Sequence, residues 1–144
     1  MPLISVTRLR VRSSLYLPGF LWETFRSVRQ VQRSPGFLGG RLLVNAGYVF
    51  WTMTAWQDEA AMNVYRTSGA HRQAMPKLLN WCDEAAVVHW TQDPPEIPEW
   101  SQAQQHMSEK GRLSKVNHPS AVQAAQQIPA PRPSRIAQTL KPAR

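Results

Sequence analysis

Residues 48–90 read YVFWTMTAWQDEAAMNVYRTSGAHRQAMPKLLNWCDEAAVVHW and decide the fold of this chain. An aromatic-rich strand over residues 48–56 comes first, and a helix with two acidic residues in its first turn follows it. A short break precedes a second helical stretch, which Pro76 is expected to divide into two pieces. A further strand over residues 85–90 ends the segment. This order is the second half of a βαββαβ unit.

The preceding residues supply the first half. Apolar side chains partly alternate over residues 4–12, which predicts a strand, and they recur at helical spacing over residues 18–32. Residues 37–44 predict another strand, whose Gly-Gly pair indicates a bend, a bulge or the close approach of another backbone. Strand–helix–strand–strand–helix–strand is the ferredoxin-like order. Residues 1–92 are therefore expected to form an α+β domain with a four-stranded antiparallel sheet.

Residues 93–144 differ in composition and are expected to form an extended C-terminal tail. Pro, Gln, Ala and Ser are frequent there; residues 99–111 predict a polar helix, and the remainder is expected to be largely disordered. The net charge of the chain is +8, and seven of the 17 Lys and Arg but only one of the nine acidic residues follow residue 100. These cations are scattered, which favours a solvated tail over nucleic-acid or membrane-surface binding.

Other classes of protein are excluded by what the sequence lacks. No stretch is long and apolar enough to span a bilayer, and no signal-peptide core begins the chain, so a cytoplasmic protein is expected. The single cysteine, Cys82, excludes an internal disulfide. The sequence has no phosphate-binding Gly-rich loop, no Cys-x-x-Cys pair and no nucleophile elbow.

The strands over residues 48–56 and 85–90 are apolar at both alternating sets of positions, so both faces of the sheet need a cover. Two helices can cover one face. The other face is expected to pack against a second copy of the chain, as a homodimer joined sheet to sheet. The alternative is that the tail covers this face with its own apolar residues. These are Ile97, Trp100, Met107 and Leu113.

Two segments, TAWQDEAAM at residues 54–62 and YRTSGAHRQAM at residues 65–75, carry a family likeness. With them the chain resembles the dimeric α/β-barrel superfamily that includes the antibiotic-biosynthesis-monooxygenase domains, and within it a branch similar to spheroidene monooxygenase. The resemblance covers residues 3–92. It implies a dimeric α/β barrel that binds an apolar small molecule or haem between helix and sheet, with monooxygenase-type chemistry that uses haem or no cofactor.

Haem-degrading members of that superfamily use a His on the helix after the third strand as axial ligand, together with a Trp and an Asn. His71 falls near the ligand position, whereas Tyr65 stands at the Trp position and Thr7 at the Asn position. The resemblance therefore implies that His71 binds a metal only as a haem ligand. It argues against haem degradation and leaves haem binding open.

The candidate catalytic residues are His71 and Tyr65, and the candidate cofactor-binding residues are His71, Arg8 and Trp56. A His near a helix N-terminus is held neutral, which is the form that binds metal or accepts a proton. Each residue also has a structural interpretation. His71 could be hydrogen-bonded by backbone or by Ser68, Tyr65 and Trp56 could be core residues, and Arg8 could form a salt bridge.

The leading functional hypothesis is a monooxygenase-like protein that binds a small molecule or haem. The alternative is a non-catalytic binding or assembly module with a vestigial pocket, whose tail docks a partner.

Overall fold

The computed structural model describes residues 1–93, 96–132 and 136–143. A single 3-10 turn, Ser14–Tyr16, precedes the first helix. The helices are α1 (Leu17–Gln32), α2 (Glu59–Arg66), α3 (Gly69–Trp81), α4 (Trp100–Lys110) and α5 (Ala121–Ala124), and the strands are β1 (Leu3–Val11), β2 (Phe37–Asn45), β3 (Val49–Trp56), β4 (Cys82–Thr91), β5 (Arg112–Leu113) and β6 (Ile136–Leu140). None of these helices is both long enough and apolar enough to cross a membrane.

The strands form one antiparallel sheet in the order β5-β4-β1-β3-β2-β6. Its four central strands and the helices α1 to α3 give the predicted α+β, ferredoxin-like βαββαβ arrangement. The expected count of four strands is wrong, because β5 and β6 from the C-terminal segment extend the sheet at its two edges.

The helix α3 differs from the prediction, because it runs without interruption through Pro76. Proline removes the hydrogen bond that its nitrogen would give to the carbonyl four residues earlier, which here belongs to Arg72. Both residues are exposed, so water can satisfy that carbonyl. The helix α2 begins as expected, since the Asp58 carboxylate accepts a 2.8 Å hydrogen bond from the Ala61 amide.

The Gly-Gly pair of β2 combines two of the predicted features. The register between β2 and β3 shifts between Phe37 and Gly39, which is a bulge. At Gly40 a Cβ atom would collide with the backbone carbonyl oxygen of Met53 on β3. Glycine at this position therefore allows the two strands to approach closely.

The face of the sheet opposite α1 to α3 is covered by the chain itself. Ala103 and Met107 of α4 are buried against Ile4, Val6 and neighbouring strand residues. The rings of Trp51 and Trp100 meet edge to face with centroids 6.2 Å apart. A second copy is therefore not needed to bury this face, and the expected homodimer stays a prediction. The alternative cover, by Ile97, Trp100, Met107 and Leu113, is the arrangement in the structure.

The residues after Gly111 were expected to be largely disordered. In the structure, described residues of this segment contact both outer strands of the four-stranded core of the sheet. The strand β6 pairs with β2 over Gly40–Val44. At the other edge the Gln123 side chain accepts a hydrogen bond from the Ala85 amide and donates to the Ala85 carbonyl, as a neighbouring strand would. One of these contacts is made by a short strand and the other by a single side chain, and neither needs a continuous apolar stripe that composition could reveal.

Candidate functional site

The helix-facing side of the sheet carries two apolar clusters, one at each end. At one end Leu3 and Trp56 pack with Val31 of α1 and Met62 of α2. At the other end Val11 and Cys82 pack with Phe20 of α1 and Leu78 of α3. The helices are therefore fixed to the sheet at its two ends.

Between these clusters the strands present a row of polar side chains to the helices. Residues opposite each other in neighbouring strands share a face, and Ser5 is opposite both Thr54 of β3 and His89 of β4. Two residues further along β1, Thr7 is opposite Thr52. We call this row the central cleft; its members are Ser5, Thr7, Thr52, Thr54 and His89.

All five side chains of the central cleft are partly exposed, although β1 and β3 are interior strands of the six-stranded sheet. An interior strand reaches solvent only through a gap in the layer that covers it. The helix layer therefore leaves the middle of the sheet accessible. Polar groups that remain there can hydrogen-bond a bound molecule, and the apolar clusters close the two ends.

His71 lies on the side of α3 that faces the sheet. His71, Ala74 and Leu78 share one helical face, and Leu78 belongs to the apolar cluster at one end. Seven residues of helical rise separate His71 from Leu78, a distance of about 10 Å along the helix. That distance separates His71 from this cluster, and its ring packs on Tyr65, which belongs to the surroundings of the other cluster.

The contacts of His71 fix its tautomer. Its Nδ1 lies 3.2 Å from the Arg66 carbonyl oxygen, which can only accept, so Nδ1 carries the hydrogen and Nε2 has the free lone pair. The backbone N–H of His71 donates to Oε1 of Gln30 at 2.8 Å. Of the two partners in the structural interpretation, the backbone is the one observed, through the Arg66 carbonyl; the Ser68 hydroxyl donates to the Val64 carbonyl instead.

Both histidines of this region are biased towards the neutral form. Burial lowers the pKa of His71, the hydrogen bond to the Arg66 carbonyl raises it, and the positive charge of Arg66 lowers it again. Burial also lowers the pKa of His89, assisted by the charges of Arg66 and Arg112 and opposed by Glu59. A neutral imidazole can accept a proton at neutral pH.

Tyr65 is a packed aromatic residue with a protonated hydroxyl. Its ring lies 5.3 Å from that of Trp56 and 4.7 Å from that of His71. Its hydroxyl donates to the Ser27 carbonyl at 3.4 Å. Burial raises the pKa of Tyr65 far above its usual value, against the smaller opposing effect of Ser27. Tyr65 therefore orients the imidazole and cannot serve as a base at neutral pH.

The candidate cofactor-binding residues lie on two different faces of the sheet. His71 and Trp56 are on the helix side, and the Trp56 indole N–H donates to Oγ1 of Thr54 at 2.9 Å. Arg8 is on the side covered by α4, where its guanidinium forms a buried 3.3 Å salt bridge with Glu84. The structure brings His71, Tyr65 and Trp56 together and leaves Arg8 out.

These residues do not fit haem. Tyr65 packs directly on the imidazole and Trp56 packs on Tyr65, so the side chains that would border a porphyrin contact one another instead. Arg8, the expected partner of a haem propionate, is already paired with Glu84 on the other face of the sheet. As a separate finding, which does not bear on a single axial haem ligand, the described residues contain no group of three or more His, Cys, Asp or Glu side chains that could hold a metal ion.

An open groove of about 630 Å³ lies beside this region, between the end of α1 and α2. Its lining is mainly apolar and includes Ala61, Val64 and Tyr65, with Arg33 at its border. His71 does not line it. The enclosed pocket beside His71 that the sequence suggested is thus not this groove.

The polar residues of the central cleft were missed by the sequence analysis, apart from Thr7 as a position in the family comparison. Their signal is the polar half of the alternation in β1, where Ser5 and Thr7 interrupt Ile4, Val6 and Leu9.

Cys82 is the small buried residue expected, and burial, with a lesser effect of Asp83, raises the pKa of its thiol to about 12.

Comparison with known proteins gives a consistent assignment. The family model described as antibiotic biosynthesis monooxygenase matches residues 6–77. No curated protein matches the chain. A crystal structure of an antibiotic biosynthesis monooxygenase is 17% identical with a TM-score of 0.57, covering 64% of this chain and 99% of its own.

Two further solved structures share the fold. Rv0793 from Mycobacterium tuberculosis is 12% identical with a TM-score of 0.58, covering 65% of this chain and 97% of its own. SnoaB, a cofactor-independent oxygenase from Streptomyces nogalater, is 18% identical with a TM-score of 0.54, covering 68% of this chain and 98% of its own. Because the family model spans half of the sequence and the fold agrees, the chain belongs to the antibiotic biosynthesis monooxygenase family.

Proposed function

We propose that this protein is a monooxygenase that binds a small, mainly apolar molecule with an acidic C–H group in the central cleft and needs no cofactor. The observation that carries the proposal is the row of accessible polar side chains in the middle of the sheet, between two apolar ends. The structural neighbour SnoaB is a cofactor-independent oxygenase, which supports this class of reaction for the fold.

The residues of the cleft have separate roles in the proposal. His71, neutral and with Nε2 available, accepts the proton from the substrate carbon. His89 and the hydroxyls of Ser5, Thr7 and Thr52 hydrogen-bond the polar groups of the substrate. Tyr65 and the Arg66 carbonyl hold the imidazole ring in place.

The reaction is balanced without a reductant. A substrate methylene group, R₂CH₂, and O₂ give the ketone R₂C=O and water. The carbon loses two hydrogens and gains one oxygen atom, and the other oxygen atom leaves as water. The deprotonated substrate supplies the electrons to O₂, so the protein has to bind the substrate, accept its proton and exclude water.

All the residues assigned to the site in this proposal belong to one chain. The proposal therefore does not require the homodimer expected from the sequence, whose sheet-to-sheet face is covered here by α4 and the residues around it.

The test uses anthrone, a compound whose C–H proton is acidic and whose anion reacts with O₂ directly. Oxygen uptake and transfer of one labelled oxygen atom from ¹⁸O₂ to the product are measured for the native protein. His71→Ala should lower kcat/KM by about 100-fold, the usual effect of losing a general base. His118→Ala, a change at an exposed His of the C-terminal segment, is the control and should have no effect.

Equal rates for the native protein and His71→Ala would refute the assigned base. Binding of anthrone without any oxygen uptake would favour the alternative, a non-catalytic binding module.

A further inference from the structure

The outer surface of the helix layer is apolar at several neighbouring positions. The helices α1 and α3 pack side by side, and each carries large apolar side chains that are exposed. Single exposed apolar residues are normal, but several at helical spacing on adjoining helices are not. The exposed side chains are Leu21 (50%), Trp22 (59%), Phe25 (52%), Met75 (45%) and Leu79 (38%).

These residues are separate from the ones that hold the helices to the sheet. The inward side of α1 is formed by Phe20 and Val31, which are buried in the two apolar clusters. Trp22 and Phe25 lie on the opposite side, with their rings stacked at a centroid distance of 5.9 Å. Packing against the sheet therefore does not explain why these two positions are apolar.

The charges on this surface have one sign. Arg29, Arg72 and Lys77 are exposed on the two helices, and Arg33 is exposed at the C-terminal cap of α1. The only acidic residue of α1 and α3 is Glu23, which is buried. Its carboxylate is already paired, with Lys77 at 2.8 Å and Arg26 at 3.3 Å.

Cations and aromatic rings also lie next to each other. The Arg29 guanidinium is 5.7 Å from the centre of the Phe25 ring. Positions 22, 25, 29 and 33 lie on one side of α1 and its C-terminal cap, because they follow helical spacing. On that side the apolar residues at 22 and 25 are followed by the basic residues at 29 and 33. An anionic lipid surface offers what this arrangement can bind, which is a headgroup layer of negative charge above an apolar interior.

We propose that the outer face of α1 and α3 docks on the surface of an anionic lipid bilayer. Trp22, Phe25 and Leu21 enter the boundary between headgroups and acyl chains, where aromatic residues are favoured. Arg29, Arg33 and Arg72 contact the lipid phosphates. A nucleic acid would use the cations and leave the apolar stripe exposed. In this proposal the protein lies on the surface of the bilayer and does not cross it.

The experiment is sedimentation of the full chain with vesicles of phosphatidylcholine alone and of phosphatidylcholine mixed equally with phosphatidylglycerol. The protein should sediment with the mixed vesicles and remain in solution with phosphatidylcholine alone. Trp22→Ser with Phe25→Ser should weaken partitioning about tenfold or more, because apolar insertion is lost. Both residues are exposed, so the variant should unfold at the same urea concentration as the native protein.

Two charge-reversed variants distinguish docking through this face from a general attraction between a basic protein and anionic lipid. Arg29→Glu with Arg33→Glu should weaken partitioning about tenfold or more. Lys110→Glu with Lys115→Glu makes the same change of net charge on exposed residues elsewhere and should retain most of the binding.

Three results would overturn the proposal. One is the absence of sedimentation with anionic vesicles, and another is an equal loss for the two charge-reversed pairs. The third is self-association without lipid that Trp22→Ser with Phe25→Ser abolishes, which would make this face a contact between copies of the chain.

Discussion

Replacing Met107 by Ala tests whether the C-terminal segment is part of the folded domain. Met107 is 2% exposed and packs in the apolar cluster on the sheet face opposite α1 to α3. The change removes three side-chain atoms from a site so tightly packed that a Cβ atom added at Gly111 would collide with the Met107 sulfur. Substitution of a buried Met by Ala costs roughly 2–5 kcal/mol.

The expected loss is near the middle of that range. Alanine favours a helix slightly more than methionine does, and relaxation around a surface helix reduces the cavity, so about 3 kcal/mol is expected. This is a large part of the roughly 5–15 kcal/mol that stabilises an ordinary domain. It should lower the melting temperature by about 6–12 °C.

The assay is urea unfolding followed by circular dichroism, with Gln104→Ala as the matched control. Gln104 is an exposed residue of the same helix, so its replacement should change the free energy of unfolding by less than about 0.5 kcal/mol. Equal midpoints for the two variants would refute the docking of α4. The sheet face would then have to be covered in another way.

Three further predictions concern pH, the sheet and the cysteine. Because the pKa values of His71 and His89 are lowered from 6.5 in the folded state, the unfolded chain binds their protons first as the pH falls. The free energy of unfolding should therefore decrease as the pH falls from about 6.5 through the lower folded pKa values. In a His71→Gln variant the free energy of unfolding should depend less strongly on pH. The same pH dependence in the variant and the native protein would contradict the assigned burial of His71. Gly40→Ala should cost roughly 1–3 kcal/mol, because the added methyl group collides with the Met53 carbonyl, and a change below 0.5 kcal/mol by urea unfolding would show that the strands can separate freely. Cys82 should react with a thiol reagent only at the rate of unfolding at neutral pH, since burial raises the pKa of the thiol to about 12; fast labelling of the native protein would mean that the cluster at that end of the sheet is open.

Local sequence patterns predicted the central fold well. The alternation in β1 and the helical spacing in α1 are properties of short segments, and both elements are in the structure close to their predicted bounds. The interruption of α3 was predicted from Pro76 alone. In the structure the helix continues through Pro76, and because Arg72 is exposed, water can replace the hydrogen bond that its carbonyl loses.

The cover of the second sheet face could not be decided from composition. The helix α4 has only a narrow apolar side, in which Ala103 and Met107 are the buried members. Such a narrow apolar stripe gives only a weak signal of burial in a Gln-rich sequence. The neighbouring anchors, such as the pairing of the Asn45 amide with the Arg132 backbone 87 residues away, depend on tertiary structure.

The candidate site was predicted in part. His71 and Tyr65 were selected from the sequence and are in contact in the structure. Arg8 was grouped with them, but the pairing register places it on the other face, beside Glu84. The same register creates the central cleft from strands far apart in the chain. Alternation within one strand does not reveal which strands become neighbours.

The most direct test of the central claim is an NMR titration of the protein, labelled at its threonine methyl groups, with anthrone. Shifts are expected for Thr7, Thr52 and Thr54 in the central cleft and none for Thr139, which faces away from the helices on β6. Thr52→Leu should abolish these shifts by filling the cleft. Shifts confined to other threonines, or undiminished binding by Thr52→Leu, would contradict a ligand site between the helices and the middle of the sheet.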